Sequence, residues 1–154
     1  MSLSQVGTDR IEKQIRLVAP RARVWRALTD TREFGQWFGV KLTGAVAPGV
    51  TLRGPIAIKG FEHVTFEATV ETVEPETRFS FRWHPYAVEP GVDYSGEPTT
   101  LVVFTLAEVE GGTLLTVVES GFDKIPASRR AKAFAMNSNG WGAQVENLKR
   151  YLTA

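Results

Sequence analysis

The sequence predicts an α+β domain in which a curved antiparallel sheet wraps around one long C-terminal helix. Three observations predict it. Between Val40 and Gly121 apolar residues recur with a period of two, the spacing of half-buried strands. Before that run, two short segments carry apolar residues at helical spacing. After it comes a single helical segment of about 24 residues, roughly 36 Å long and able to lie along a whole sheet.

The first strand is expected over Asp9–Val18, where Ile11, Ile15 and Leu17 share one parity and Glu12, Gln14 and Arg16 take the other. Lys13 falls on the inner parity, which suits a strand near an edge. Pro20 opens a short helix, where its missing N–H costs nothing, and Val24, Trp25 and Leu28 form the apolar stripe. Asp30 stands where the cap of a second helix belongs, with Glu33 three residues on as the other half of a capping-box-like pair. Phe34, Trp37 and Phe38 follow at i, i+3 and i+4, and Gly39 is a natural stop.

Strands are then expected over Val40–Val46, Val50–Ile58, Val64–Val73, Phe79–His84, Thr100–Glu108 and Thr113–Ser120, giving a sheet of about six to seven strands. Ala47-Pro48-Gly49, Pro75-Glu76-Thr77 and Glu110-Gly111-Gly112 supply turns. Pro85 to Pro98 holds three prolines, two glycines, Tyr86 and Tyr94. A connection of that length in a small domain serves as a lid or a binding loop. The last helix is expected over Ser128–Leu152, with Phe134, Trp141, Val145, Leu148 and Leu152 on one stripe that Asn137 and Ser138 interrupt. Residues 9–154 thus form one domain, and residues 1–8, small and polar, are expected to fray.

Composition removes several function classes. A net charge of +1 gives no global field toward nucleic acid or an anionic membrane. The absence of cysteine excludes disulfides, thiolate metal sites and thiol nucleophiles, and suits the cytoplasm. No apolar run approaches the roughly 20 residues that cross a bilayer, so membrane insertion is not expected. The N-terminus lacks the pattern of a secretory signal. His63 and His84 are scattered and fit no metal-binding spacing, and no nucleophile elbow is present. Neither a metal nor another cofactor is expected, and no catalytic residue is assigned.

The stretch Val18-Ala-Pro-Arg-Ala-Arg-Val-Trp-Arg-Ala-Leu-Thr-Asp30, continued by Trp37-Phe38-Gly39, resembles the opening of the START-like, helix-grip (SRPBCC) superfamily. More narrowly, it is similar to the branch named after the activator of heat-shock protein 90 ATPase. Gly111-Gly-Thr-Leu-Leu-Thr-Val-Val-Glu-Ser-Gly-Phe122 resembles the last strand of that branch, and Gly140-Trp141 with Leu148 and Leu152 its closing helix. The resemblance covers nearly the whole chain in order. It implies the helix-grip fold, with an apolar cavity between the sheet and the last helix. Members bind lipids, polyketides, hormones or other metabolites, and some are cyclases. The eukaryotic namesakes pair such a domain with a separate chaperone-binding domain that this sequence does not contain.

Trp25, Trp37, Phe66, Phe81, Trp83, Phe104, Phe134 and Trp141 occupy inward parity or stripe positions. Each suits ordinary core, worth roughly 1.5–3 kcal/mol when buried. As a set of rigid rings on a concave sheet they also suit the wall of a pocket, and the expectation is that some plug its ends while others line it. Glu119 shares the inward parity of Leu115 and Val117. A buried carboxylate needs a partner, so Glu119 either orients a ligand, acts as a base, pairs with an arginine or sits at the wet end of its strand. Asn137 and Ser138 face a ligand's polar end, sheet carbonyls, trapped water or solvent.

The ligand-binding set is therefore Trp37, Phe66, Phe81, Trp83, Phe104, Glu119, Phe134, Asn137, Ser138 and Trp141. The partner expected for it is a small, mainly hydrophobic lipid or metabolite. The alternatives are a cyclase-like enzyme acting on a polyketide-type substrate, in which Glu119 moves a proton, and a chaperone-regulating interaction domain. No sequence feature specifies a protein partner.

Overall fold

The computed structural model describes residues 10–89 and 91–153; the N-terminal stretch expected to fray, with Asp9, lies outside them. Strand β1 (Arg10–Leu17) is followed by helices α1 (Arg21–Thr29) and α2 (Thr31–Phe38). Then come β2 (Thr51–Pro55), β3 (Thr65–Glu74), β4 (Arg78–Trp83), β5 (Thr100–Val109) and β6 (Gly112–Ser120), and finally α3 (Ala127–Thr153). Among the described residues six strands form one antiparallel sheet in the order β1-β6-β5-β4-β3-β2. This is the helix-grip arrangement. It puts β1 at an edge, where Lys13 is half-buried.

The helix pair is set by local chemistry. Asp30 accepts a hydrogen bond from the Glu33 backbone N–H at 3.0 Å, capping α2 as its sequence position requires. The reciprocal half of the capping box does not form. The Glu33 side chain turns instead to Arg23 and Arg26, each at 2.8 Å, because two charge-assisted bonds outweigh one neutral backbone bond. Gly39 ends α2 in the left-handed region, with φ of 95°.

Segment 40–46 departs from expectation. Val40 and Leu42 are buried while Lys41 and Thr43 are exposed, so the alternation is real, yet only isolated bridges form, Val40 to Ile56 and Asp30 to Ala45. The segment crosses tightly over β2. A Cβ on Gly54 would stand 1.9 Å from the Lys41 carbonyl oxygen, an approach only glycine permits. Strand β2 is shorter than the expected span and ends at Pro55, which has no N–H to continue a ladder. A bulge between Val70 and Thr72 in β3 lets the Ser80 hydroxyl accept from the Thr72 N–H at 3.1 Å, and Ser80 is buried although its parity points outward.

The core lies between the sheet, α1, α2 and the C-terminal half of α3. Phe79 and Phe104 stack at 5.9 Å between ring centroids, and Val145 and Leu148 of α3 are buried in the same core. The space left among Leu28, Phe34, Leu52, Phe79 and Phe81 is ≈ 10 Å³, no more than a water molecule needs. This end of the interior is filled.

Candidate cleft and its buried glutamate

The other end is open. A cleft of ≈ 560 Å³ lies between the connection from β2 to β3, the loop that follows β4, and the N-terminal half of α3. Phe66 and Trp83 form sheet-side wall, Tyr86 and Tyr94 belong to the loop, and Met136, Asn137 and Gly140 face it from the helix. Among the described residues six large apolar side chains are exposed, and four of them (Ile58, Phe61, Val92 and Met136) line this cleft. Exposed carbon thus gathers at one place, the usual mark of a binding site.

The loop is held by side chains from both flanks. Arg129, in the first turn of α3, donates to Glu97 at 2.8 Å, to the Pro85 carbonyl at 3.1 Å and to the Tyr86 carbonyl at 3.3 Å. Its guanidinium also lies 4.7 Å from the centre of the Tyr94 ring. The basic start of α3 is thus engaged in clamping the loop rather than free for an anion. His63 Nε2 bonds to the Val88 carbonyl at 2.9 Å, and His84 Nε2 to the Glu97 carbonyl at 3.0 Å. Tyr86 is held at φ of 49°, a strained backbone state for a bulky residue.

Behind the cleft wall lies Glu119, fully buried on β6. Four side chains converge on its carboxylate. Trp83 Nε1 and Thr100 Oγ1 donate to Oε2 at 2.7 and 2.5 Å. Trp141 Nε1 donates to Oε1 at 2.8 Å, and Asn137 Nδ2 reaches both oxygens at 2.9 and 3.1 Å. Every partner donates, which is the environment an acceptor-only carboxylate requires. Among the described residues no arginine or lysine pairs with it. Its charge is met by oriented N–H and O–H dipoles, and the cluster ties β4, β5 and β6 to α3.

The expected site residues divide by position. Phe66, Trp83 and Asn137 line the cleft. Glu119 and Trp141 stand directly behind it and join Trp83 and Asn137 through hydrogen bonds. Phe81 and Phe104 are buried in the sheet-side core. Trp37 is buried with its indole N–H on the Ala27 carbonyl at 2.8 Å. Phe134 packs edge-on against Phe122 at 5.3 Å, and Ser138 is half-buried away from the cleft wall. The sequence gives no sign of Thr100, whose role depends wholly on register: Val102 pairs with Glu119, which sets Thr100 two residues along on the same face. Nor does it single out Phe61 and Val92, whose positions come from irregular backbone.

At the far end of α3 a second carboxylate is buried. Glu33 accepts from Tyr151 Oη at 2.8 Å in addition to Arg23 and Arg26. Burial pushes the Glu33 carboxyl up, but the hydrogen bonds of Tyr151 and Arg23 and the arginine charges outweigh it and hold the group below its ordinary range. Burial and the bond to Glu33 together push the Tyr151 phenol up.

Among the described residues no three histidine, aspartate or glutamate side chains gather as a metal site would require, and no helix is long and apolar enough to cross a membrane.

Comparison with solved structures gives the same architecture. DynU16, from the dynemicin biosynthetic locus, is 32% identical with a TM-score of 0.72, over 95% of this chain and 48% of that one. The chain therefore spans about half the length of DynU16. MLL2253 from Mesorhizobium loti is 26% identical with a TM-score of 0.73, covering 94% of this chain and 96% of the other. The Aha1 dimer from Colwellia psychrerythraea shares the fold at 19% identity and a TM-score of 0.69, over 93% of this chain and 95% of that one. No curated protein matches the sequence. Residues 18–153 match the family described as activator of Hsp90 ATPase homolog 1-like protein, and the chain belongs to that family.

Proposed function

We propose that the protein binds a small, mainly apolar molecule in the cleft between the loop after β4, the start of β3 and the N-terminal half of α3. The observation that carries this reading is the ≈ 560 Å³ of open space ringed by most of the exposed large apolar side chains. That volume falls within the roughly 300–1,000 Å³ of small-molecule sites. Burying about 250 Å² of ligand carbon supplies about 6 kcal/mol at 25 cal/mol per Å², so carbon burial dominates affinity and polar contacts set orientation. Membership of a biosynthetic locus by the 32% identical DynU16 is consistent with a metabolite as ligand.

Proton transfer by Glu119, as a cyclase reading requires, has less support. Both its oxygens are engaged by donors and it stands behind the cleft wall. A chaperone-regulating surface would place exposed carbon away from the cleft, whereas only Val18 and Val50 of the exposed set lie elsewhere.

The test uses Gly140, which lines the cleft and where an added Cβ meets nothing within 4 Å. Titration with the neutral fluorophore N-phenyl-1-naphthylamine is expected to saturate for the native protein. Gly140→Leu places a branched apolar side chain on the cleft wall and is expected to weaken that binding about tenfold while leaving the melting temperature equal or higher. An absence of saturable binding, or equal binding by Gly140→Leu, overturns the reading.

A further inference from the structure

The reading of the cleft as an apolar site leaves open what polar group its ligand carries, and the cluster behind the wall supplies an answer that rests on that reading. The Asn137 amide lies between Glu119 and the cleft. Its Nδ2 is 2.9 and 3.1 Å from the two carboxylate oxygens. Chemistry fixes which way the amide faces: turned over, its carbonyl oxygen would press against two acceptors. With Nδ2 directed at Glu119, the planar group carries Oδ1 on the other side of Cγ, and Asn137 is itself a cleft-lining residue. Among the described residues no donor reaches Oδ1.

The remaining side-chain N–H groups on the wall are engaged as well. Trp83 Nε1 is on Glu119, and the Nε2 atoms of His63 and His84 are on backbone carbonyls. Glu67, Glu89 and Asp93 also line the cleft, and no lysine or arginine does. The wall therefore offers aromatic faces and acceptors beside the hydroxyls of Thr65, Tyr86, Tyr94 and Ser95, with no lysine or arginine among them.

We infer that Glu119 is a positioning residue that holds Asn137 with Oδ1 presented to the cleft, and that the ligand is a ring-bearing apolar molecule carrying an O–H or N–H donor. Anionic head groups are disfavoured by the same wall, because Glu67, Glu89 and Asp93 line it and no lysine or arginine does. A neutral hydrogen bond of this kind discriminates by about 3- to 10-fold between a donor and its methylated analogue.

The experiment compares 1-naphthol with 1-methoxynaphthalene by titration calorimetry. The two share a ring system, and only the first can donate. The native protein is expected to prefer 1-naphthol by about 3- to 10-fold, and Asn137→Leu to reduce that ratio to about 1. A ratio is read because a general loosening of the site moves both affinities together. If the native protein binds both probes with equal affinity, or if Asn137→Leu keeps the preference, the inference fails while the apolar cleft stands. If neither probe binds, the cleft reading fails and the inference with it. Should Asn137→Leu not fold, as judged by its circular dichroism, the native ratio decides alone.

Discussion

The two halves of α3 face opposite situations. Beyond Gly140 the helix buries Trp141, Val145 and Leu148 over a filled core, and Tyr151 ties its end to Glu33. Before Gly140 it buries only Ala133 and overhangs an open cleft. Two buried carboxylates meet the helix, Glu33 at its far end and Glu119 at the junction of the halves, where Asn137 and Trp141 both reach it, and the two are surrounded differently. Glu33 lies beside two arginines that reach solvent, so charge meets charge. Glu119 is enclosed and meets only indole, amide and hydroxyl donors. The difference teaches what each region is built to do. Arginine pairing locks helices together at a surface seam. A ring of neutral donors fixes the direction of each donor, and two of those donors, Trp83 and Asn137, are cleft wall.

Removing the carboxylate at the junction is expected to cost most. Glu119→Leu leaves two indole N–H groups, a hydroxyl and an amide without their acceptor, and Thr100 and Trp141 among them are buried. Unsatisfied buried donors cost about 1–3 kcal/mol each, and partial rearrangement of the half-buried Asn137 relieves some of this. A loss of about 4 kcal/mol by urea denaturation is the expected outcome. A loss under about 1 kcal/mol would show that the four donors find other partners and that the cluster does not shape the wall.

The closed half is expected to lose less, and to lose it with a pH signature. Glu33→Gln keeps the shape and removes the charge, at a cost of about 2 kcal/mol at neutral pH. The Glu33 carboxyl is held below its ordinary value, so it stabilises the fold fully above the unfolded value of about 4.3, and that contribution is lost as pH falls through the folded value. Urea midpoints of the native protein and the variant should therefore differ most near neutrality and converge in acid below the ordinary carboxylate range. Parallel curves would show that Glu33 is not the group responsible.

The same contrast explains what the sequence makes legible. Strand parity, helix stripes and the Asp30 cap are local patterns, and the elements they predict are present in order. Segment 40–46 shows the limit: its alternation reports burial of Val40 and Leu42, and burial does not require a ladder partner. Parity likewise turns Glu119 inward together with Leu115 and Val117. Its four partners lie 18 to 36 residues away in sequence and converge only through register and helix docking. Parity cannot separate Phe81, which sits in the filled end, from Phe66, which borders the cleft, because both point the same way and differ only in where along the sheet the packing stops. The loop from Pro85 to Pro98 is legible as a long irregular connection from its composition, whereas the clamp on it by Arg129 is not, since a basic helix start ordinarily faces water.

The smallest effect concerns a glycine in the closed half. Gly140 and Gly142 flank Trp141, and an added Cβ at either meets nothing within 4 Å, so neither is kept for close approach to the sheet. Gly142 stands two residues past the cleft wall, in the continuous helix, with no positive φ. Gly142→Ala should therefore raise stability by about 1 kcal/mol through helix propensity, seen as a higher melting temperature. It should leave the affinity for N-phenyl-1-naphthylamine unchanged. Placed beside Gly140→Leu, it separates stiffening of α3 from partial occupation of the cleft. If Gly142→Ala weakens binding as much as Gly140→Leu does, the open half depends on helix flexibility rather than on empty space, and the contrast between the two halves is one of motion instead of volume.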